Sequence, residues 1–333
     1  MQPSSDQTMK MFFLTEEELF ETMIPTAHPF RKLNELIDFE TLIAPLRSLY
    51  SDLGQNGIDV QKGFKALLLQ FWEDKSDREI ENALRENIAI RWFCGFSLQE
   101  KTPDHSYFGK LRGRIGAKHL ADTFKRINTI LEGYGLFGNF FTFIDASSIV
   151  SKIALWNERD QAIADGEEKL NNANVMKYAA DKDARFGAKS KTKYWFGYKT
   201  TKSVDMRHGL IRKTALTPGN VLDPDVLKSV CPNQGMVFTD KLYDRKDVDG
   251  VLKAKGCHAA TIRKNNSKRK NRDLDRWRSG VRMPFESVFS KMEKRARYRG
   301  LVKNVFQNFF EAITHNLKKA VTILPRAPVT ASV

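Results

Sequence analysis

The sequence predicts an α/β protein in two domains, an all-α domain over residues 1–135 and a sheet-containing domain over residues 136–333. The chain has 333 residues, 41% of them hydrophobic, which is enough apolar material to bury more than one core. Helical periodicity prevails up to about residue 135. Beyond Leu136, five short β-type runs alternate with helical segments. This order predicts a mixed five-stranded sheet flanked by helices.

The first domain contains helices with clear start signals. The apolar run GFKALLLQFW, residues 63–72, predicts a buried helix. The next helix, in SDREIENALREN, has Ser76 or Asp77 as its N-cap. A turn containing Pro103 leads into DHSYFGKLRGRIG, which predicts another helix. This helix carries three basic side chains, Lys110, Arg112 and Arg114.

The second domain begins with FFTFID, an apolar run that ends at Asp145 and predicts a central strand. A polar insert with helical character follows it. The alternating segments KYWFGYKTTKSVD and HGLIRKTALTP meet at Met206 and Arg207 and predict a hairpin. A short helix in DPDVLKSVC, a strand in GMVFTD, a helix that ends at Gly256 and a strand in CHAATIR complete the order.

Positive charge is concentrated at the end of the sequence. The formal net charge is +15, and residues 255–333 contain nineteen Lys and Arg against five Asp and Glu, a net charge of +14. Nine of these basic residues lie within Arg263–Arg282. The total charge suits nucleic acid or an acidic lipid surface, and the clustering favours a DNA backbone over an ordinary solvated surface.

We therefore expect DNA contacts from basic residues in three places: the basic helix of the first domain, the predicted hairpin and the C-terminal tract. The predicted residues are Lys110, Arg112, Arg114, Lys199, Arg263, Lys264, Lys268, Arg269, Lys270, Arg282 and Arg297. The helices of the first domain are also rich in Leu, Phe and Trp, so a dimer interface is the alternative role for them.

Features of membrane, secreted and thiol-dependent proteins are missing from the sequence. No apolar run approaches the roughly eighteen residues of a membrane span, and the first residues lack a signal-peptide pattern. The three cysteines are far apart in sequence, which predicts buried, reduced thiols. We expect a protein of the reducing cytoplasm.

Two aspartates share an unusual setting. Asp145 and Asp240 each close an apolar strand, in FTFIDAS and MVFTDKLYD. Ligand sites in α/β sheets lie beyond the carboxyl ends of strands, so the two carboxylates are expected to converge. Neighbouring carboxylates repel unless a cation neutralises them, and oxygen ligands favour Mg²⁺ or Mn²⁺. The alternative is that each aspartate caps the turn or helix that follows it.

A third acid is expected from a helix packed on this sheet. Glu286 is the candidate, because Pro284 suits a first helical turn and the following apolar residues form a stripe. Arg282 precedes Glu286 by four residues. Glu293 is the competing acid.

The motifs FIDASSI, FGYKTTKSVD, TPGNVLDPDVL, FTDKLYD and VRMPFESVFSKMEKRARYRGLVKN occur in this order. They resemble the IS-five (InsH-like) family of bacterial insertion-sequence DDE transposases, and HPFRKLNELIDFETL, SDREIENALRENIAIRWFCGF and TPDHSYFGKLRGRIG look like its helical N-terminal domain. The resemblance implies an RNase H-like catalytic domain whose metal-binding acids are Asp145, Asp240 and Glu286.

The resemblance also implies the reaction and its partners. Two Mg²⁺ or Mn²⁺ ions, double-stranded DNA carrying terminal inverted repeats, cleavage of the element ends and strand transfer into a target DNA are all implied. Joining two DNA ends requires an assembly of at least two copies, so a homodimer or larger synaptic assembly is expected. A nuclease that cuts without joining and an inactive DNA-binding repressor are the alternatives.

The sequence departs from the family signature at two positions. Arg282 matches the expected arginine, but Ser279 stands where the family has Tyr and Glu293 where it has Lys. On a continuous helix with about 100° per residue, Arg297 would share the face of Glu286. We expect Arg297 to replace the missing lysine as a phosphate contact.

Overall fold

The structure is a computed structural model that describes residues 14–50, 57–190 and 192–324. The helices are α1 Glu16–Met23, α2 Pro29–Leu36, α3 Phe39–Arg47, α4 Val60–Trp72, α5 Asp77–Glu86, α6 Ile88–Cys94, α7 His105–Gly133, α8 Trp156–Ala164, α9 Val175–Tyr178, α10 Asp223–Val230, α11 Lys246–Ala254, α12 Arg272–Ser290 and α13 Leu301–Ile323. The strands are β1 Phe141–Val150, β2 Arg185–Ala188, β3 Tyr194–Asp205, β4 Leu210–Pro218, β5 Gly235–Thr239 and β6 Cys257–Thr261.

The N-terminal helices begin at polar caps that the sequence already indicates. The Ser76 hydroxyl accepts a hydrogen bond from the Glu79 amide, and the Glu79 side chain accepts one from the Ser76 amide, so α5 begins with a reciprocal capping box. Asp104 caps α7. This long helix is broken at Gly116, whose φ of +65° suits glycine alone. No helix in the described ranges is both long and apolar enough to cross a bilayer.

One mixed sheet forms the centre of the second half of the chain. Its main strands lie in the order β4, β3, β1, β5, β6, and the short β2 pairs with the first residues of β3. β1 is antiparallel to β3 and parallel to β5, and β5 is parallel to β6. The predicted mixed sheet flanked by helices is confirmed, with six strands in place of the five predicted, and the arrangement is RNase H-like. The four-residue β2 is the one strand that the sequence did not predict.

Helices cover both faces of the sheet because successive strand residues point in opposite directions. On one face the Phe143 ring packs on Phe289 of α12, with 5.6 Å between ring centroids. On the other face Ile144 shares a core with Leu227 of α10 and Leu252 of α11. The side chains of the residues that follow in each strand alternate between the same two faces.

Helix α13 joins the sheet to the N-terminal helices. Phe310 of α13 stacks on Phe71 of α4, with 5.0 Å between centroids and 9° between ring planes. The same hydrophobic core contains residues of α7, β1 and β4. The change from helical periodicity to strand-type sequence near Leu136 coincides with the start of the sheet. The division into domains 1–135 and 136–333 stays a prediction.

The helix expected to carry the third acid differs from its prediction at both ends. α12 starts at Arg272, so Pro284 lies inside the helix and not in its first turn. It ends at Ser290, and residues 294–296 then pair with the end of β1 through backbone hydrogen bonds at Val150. The expectation that Arg297 shares a helical face with Glu286 is therefore wrong.

Candidate active site

Strand register brings Asp145 and Asp240 to neighbouring positions of the sheet. Asp240 directly follows β5, as predicted, but β1 continues past Asp145 to Val150 because its pairing with β3 extends that far, so the prediction that Asp145 closes its strand is wrong. Phe143 of β1 is paired with Phe238 of the parallel strand β5. Each aspartate lies two residues beyond its phenylalanine, so both continue the sheet face that α12 covers. The two charges interact, since the negative charge of Asp240 contributes to raising the pKa of Asp145.

Both carboxylates are held by backbone amides. Asp145 Oδ1 accepts a hydrogen bond of 2.8 Å from the Ala146 amide. Asp240 Oδ1 accepts one of 2.7 Å from the Leu242 amide and so caps the short 3₁₀ turn Lys241–Tyr243. The capping alternative therefore holds for Asp240, and capping uses only one of its two oxygen atoms.

The environment disfavours the charged form of both acids. Burial is the main cause that raises the pKa of Asp145 to about 6, and the charge of Asp240 adds to it against the opposing Ala146 amide. Burial also raises the pKa of Asp240. A pair of partly buried carboxylates of this kind gains most from a bound cation.

Arg282 connects the two aspartates to the helix above them. Its guanidinium lies 5.7 Å from the centre of the Phe143 ring, and Nη2 is 3.3 Å from Glu286 Oε1. The positive charge of Arg282 lowers the pKa of both Asp145 and Asp240. Its Nε and Nη1 atoms are buried and lack a hydrogen-bond partner among the described residues. Arg282 is thus a cation that the chain itself supplies to the site.

Glu286 is on the same side of the sheet but does not join the aspartates in this arrangement. Its side chain is 50% exposed and its carboxylate faces Arg282. Within residues 14–50, 57–190 and 192–324, no three His, Cys, Asp or Glu side chains are placed to hold a metal ion together. Glu286 as the third ligand stays a prediction.

Glu293, the competing acid, lies beyond the end of α12. Its Oε1 accepts hydrogen bonds of 2.8 Å from the amides of Lys294 and Arg295. This contact orders the loop that leads back to β1. The family's lysine position is therefore occupied by a side chain that binds its own backbone.

The Asp145 and Asp240 pair fits a hard divalent cation. Both residues offer carboxylate oxygens on neighbouring strands, and both keep an oxygen that the backbone amides do not use. Oxygen-only donors of this kind suit Mg²⁺ or Mn²⁺ and do not suit softer metals. The chemistry of the donor set is therefore consistent with the expected cofactor.

Two further residues, Asp223 and Tyr243, lie close to the site, and the sequence analysis assigns a site role to neither. Asp223 is the first residue of α10, and its Oδ1 lies 2.7 Å from Nζ of Lys199, a predicted DNA contact. Tyr243 is fully buried in the core that contains Ile144 and Val248. Asp223 and Tyr243 lie within the motifs TPGNVLDPDVL and FTDKLYD. Membership of these motifs is the sequence feature that could have identified both residues.

Several predicted DNA contacts are engaged in ion pairs within the protein. Arg112 forms two hydrogen bonds with Asp77, of 2.7 and 2.6 Å, and is 13% exposed. Arg263 is buried against Asp244 at 2.7 Å. Both arginines are thus engaged by acids of the protein itself, and their contact with DNA stays a prediction.

Other predicted contacts have weaker internal partners. Arg297 donates to the Lys75 carbonyl at 2.9 Å and pairs with Asp74, so it ties the loop after α12 to the end of α4. Arg269 pairs with Asp249 at 2.9 Å while remaining 59% exposed. Lys270 donates to Asn265, and the Lys264 amide donates to Asp244. Side chains that reach solvent include Lys110, Arg114 and Lys268.

Comparison with known families decides the identity of the chain. Residues 143–317 match the family model described as Transposase DDE domain, and residues 18–114 match Transposase domain (DUF772). The first match contains both Asp145 and Asp240 as well as Glu286. The chain belongs to the DDE transposases. It is therefore an enzyme of the DDE type that acts on DNA, and transposition is its general function.

A solved structure described as "Mos1 transposase paired-end complex with left transposon end" also aligns with this transposase. The alignment covers 82% of this chain and 80% of the other, at 7% sequence identity and a TM-score of 0.18. Similarity at this level supports no residue-by-residue argument. The family matches therefore carry the assignment.

Proposed function

We propose that this transposase binds the terminal inverted repeats of its insertion sequence, cleaves the element ends and transfers them to target DNA. The observation that carries the proposal is the placement of Asp145 and Asp240 on the neighbouring strands β1 and β5, each two residues beyond the paired Phe143 and Phe238, with Arg282 over the Phe143 ring. The IS-five branch of the family, a homodimeric or larger assembly on DNA and a cytoplasmic, nucleoid-associated location belong to the same proposal.

Asp145, Asp240 and Glu286 are proposed to hold two Mg²⁺ or Mn²⁺ ions. When bound, such ions activate the attacking oxygen and stabilise the leaving oxyanion of a phosphodiester. The chain itself contributes orientation: the Ala146 and Leu242 amides fix one oxygen of each aspartate. Glu286 reaches the aspartates once its contact with Arg282 is exchanged for one between Arg282 and a DNA phosphate. Guanidinium groups bind carboxylate and phosphate in similar ways, which makes this exchange chemically simple.

End recognition is proposed for the N-terminal helices through Lys110 and Arg114. Arg114 lies over the Tyr50 ring, with 4.3 Å to its centroid, and both basic side chains are exposed. Binding of terminal-repeat DNA in preference to scrambled DNA should decline when both become Ala in the full chain. Unchanged preference would place end recognition in the catalytic half.

Acid variants test the catalytic assignment. Asp145→Ala, Asp240→Ala and Glu286→Gln should each abolish Mg²⁺-dependent cleavage and joining, because each removes an ion ligand and no phosphate contact. Cleavage of labelled terminal-repeat DNA and joining of a pre-cut end to a plasmid are the activity measurements. A gel-shift assay should show that end binding is retained.

Glu293→Gln is the matched control for Glu286→Gln, since both changes remove one acid from the same region. The control should retain activity, because Glu293 binds the backbone amides of its own loop. Loss of joining in Glu293→Gln with normal joining in Glu286→Gln would transfer the third-acid role to Glu293. Cleavage without joining in the unmodified protein would identify a nuclease instead.

A further inference from the structure

A cleft lies between the polar insert, residues 151–184, and the strands β2 and β3. Its volume is about 800 Å³, which is within the range of pockets that enclose a small organic ligand. One wall comes from insert residues between Ala154 and Asn172, and the other from β2 and from Tyr194, the first residue of β3. The function proposed above uses no residue of either wall.

Two large aromatic side chains on the two walls are left open to solvent. Trp156 is 65% exposed and Tyr194 is 71% exposed. Phe186 lines the cleft as well and packs on Phe196, with 5.1 Å between ring centroids. Single apolar side chains at a surface are ordinary, but several rings gathered in one open cavity mark a binding surface.

The charged side chains that line the cleft are both basic. Arg159 and Lys169 are exposed, and no acidic residue belongs to the described lining. The Arg159 guanidinium lies 4.9 Å from the centre of the Trp156 ring and pairs with Asp160 at 2.9 Å. A ligand in the cleft therefore meets aromatic rings and positive charge together.

The amide side chains of the cleft are already used by the protein. Asn172 Oδ1 accepts a hydrogen bond of 2.7 Å from the Phe186 amide, and Asn172 Nδ2 donates one of 2.9 Å to the Phe186 carbonyl. Asn171 Oδ1 accepts from the Ala173 amide at 2.8 Å. The Asn172 bonds tie the insert to β2. Since these groups are engaged, recognition in the cleft is expected to depend on stacking and charge rather than on base edges.

We propose that this cleft binds unpaired nucleotides of the DNA substrate, with bases stacked on Trp156 and Tyr194 and phosphates next to Arg159 and Lys169. Exposed rings with basic neighbours bind single strands, because every base has a π-face and every nucleotide carries a phosphate. The bases of an intact duplex are stacked on one another, so the cleft selects opened strands. As a DDE transposase the chain acts on DNA, which supplies the ligand. This site goes beyond the function proposed above, which concerns duplex ends.

Binding of a fluorescent single-stranded oligonucleotide of mixed sequence to the full-length protein tests the inference. Trp156→Ala and Tyr194→Ala should each raise the Kd by about tenfold, the order expected for the loss of one base–aromatic stack. Trp156→Phe, which keeps a ring, should recover most of the affinity. Duplex DNA of the same length should bind each variant within about twofold of the unmodified protein.

A matched control and a charge variant make the test specific. Tyr134 is 51% exposed at the end of α7 and does not line the cleft, so Tyr134→Ala should bind the oligonucleotide within about twofold of the unmodified protein. Replacing Arg159 and Lys169 together with Gln should reduce the slope of log K against log salt by about 1.4, since each phosphate contact to a single strand contributes roughly 0.7. Thermal unfolding shows whether the variants are folded.

Three results would overturn the inference. They are normal oligonucleotide affinity in folded Trp156→Ala and Tyr194→Ala, a loss that is equal for single-stranded and duplex DNA, or no binding of the oligonucleotide by the unmodified protein. The proposed function is tested separately, by Mg²⁺-dependent cleavage of terminal-repeat DNA by the unmodified protein. That cleavage can be present while single-strand binding is absent, and the reverse result would contradict the proposed function alone.

Discussion

At the scale of single residues, the site is a group of acids whose charge is only partly balanced. Burial disfavours the charged form of Asp145 and Asp240, and the positive charge of Arg282 offsets part of this effect. The two departures from the family signature are different in kind. Ser279 is exposed, whereas Glu293 orders the loop after α12. Neither residue contributes charge at the aspartate pair.

Burial of Asp145 predicts a pH-dependent stability cost. Its folded pKa of about 6 exceeds the ordinary value of 3.8, so the folded state retains a proton that the unfolded state loses. Stability therefore falls as the pH rises through this window and stays lower above it. Asp145→Asn should raise the free energy of unfolding by on the order of 2 kcal/mol at pH 7.5 and by little near pH 4.

Thermal or urea unfolding in EDTA at the two pH values measures this difference. Asp225→Asn is the control, because its exposed carboxylate should leave stability nearly the same at both pH values. A gain for Asp145→Asn that is equal at pH 4 and pH 7.5 would contradict the burial argument.

At the scale of elements, α12 and the loop before it carry the basic tract. The nine basic residues of Arg263–Arg282 do not act as one set. Arg263 is buried against Asp244, and Arg278 donates to the Thr261 carbonyl at 2.9 Å. Lys268, Arg272 and Arg276 are exposed and are available to phosphates.

The exposed residues of this tract should set the salt dependence of DNA binding. If about six phosphates are neutralised, the slope of log K against log salt should be near −5. Replacing Lys268, Arg272 and Arg276 with Ala should reduce its magnitude by about 2 to 3, because each lost phosphate contact removes roughly 0.9. The slope is obtained from the binding constant for one DNA fragment, measured at several salt concentrations between about 50 and about 300 mM.

A control triple variant has the same change in net charge. Lys228, Lys246 and Lys253 are exposed on α10 and α11, which cover the sheet face opposite α12. Replacing these three with Ala should leave the slope nearly unchanged. Equal losses in the two triple variants would mean that the basic tract has no special role.

At the scale of the whole molecule, one hydrophobic core links the N-terminal helices to the sheet. Residues of α4, α7, β1, β4 and α13 belong to it. α13 lies between the two halves, so most of its length is buried. The matched family models cover the two sides separately, but the packing joins them.

Phe310→Ala should weaken both halves together. Removing a fully buried aromatic ring costs about 3–5 kcal/mol, and this ring stacks on Phe71 and lies 5.6 Å from Phe64. Urea unfolding followed by circular dichroism and by tryptophan fluorescence should give coincident transitions at lower urea. Val302→Ala is the control, because Val302 is 68% exposed on the same helix. A second, unshifted transition would show that the N-terminal helices fold independently.

Local patterns in the sequence determined most of the elements. The capping box at Ser76, the hairpin turn after β3 and the apolar strand that ends before Asp240 depend on neighbours within a few residues. The end of β1 was mispredicted, because pairing with β3 carries the strand past Asp145 to Val150. The sheet architecture followed from the order of these elements. The predicted start of α12 is wrong. Proline suits a first helical turn, but Pro284 lies inside a helix that begins at Arg272.

Only the tertiary structure decided which side chains share a site. The guanidinium group binds carboxylate and phosphate equally well, so sequence could not separate Arg112 and Arg263, which pair with Asp77 and Asp244, from arginines left open to solvent. The burial of Tyr243 against Ile144 and Leu227 likewise depends on contacts between elements far apart in the chain. Local sequence specifies the elements, and long-range packing selects the partners of each charged group.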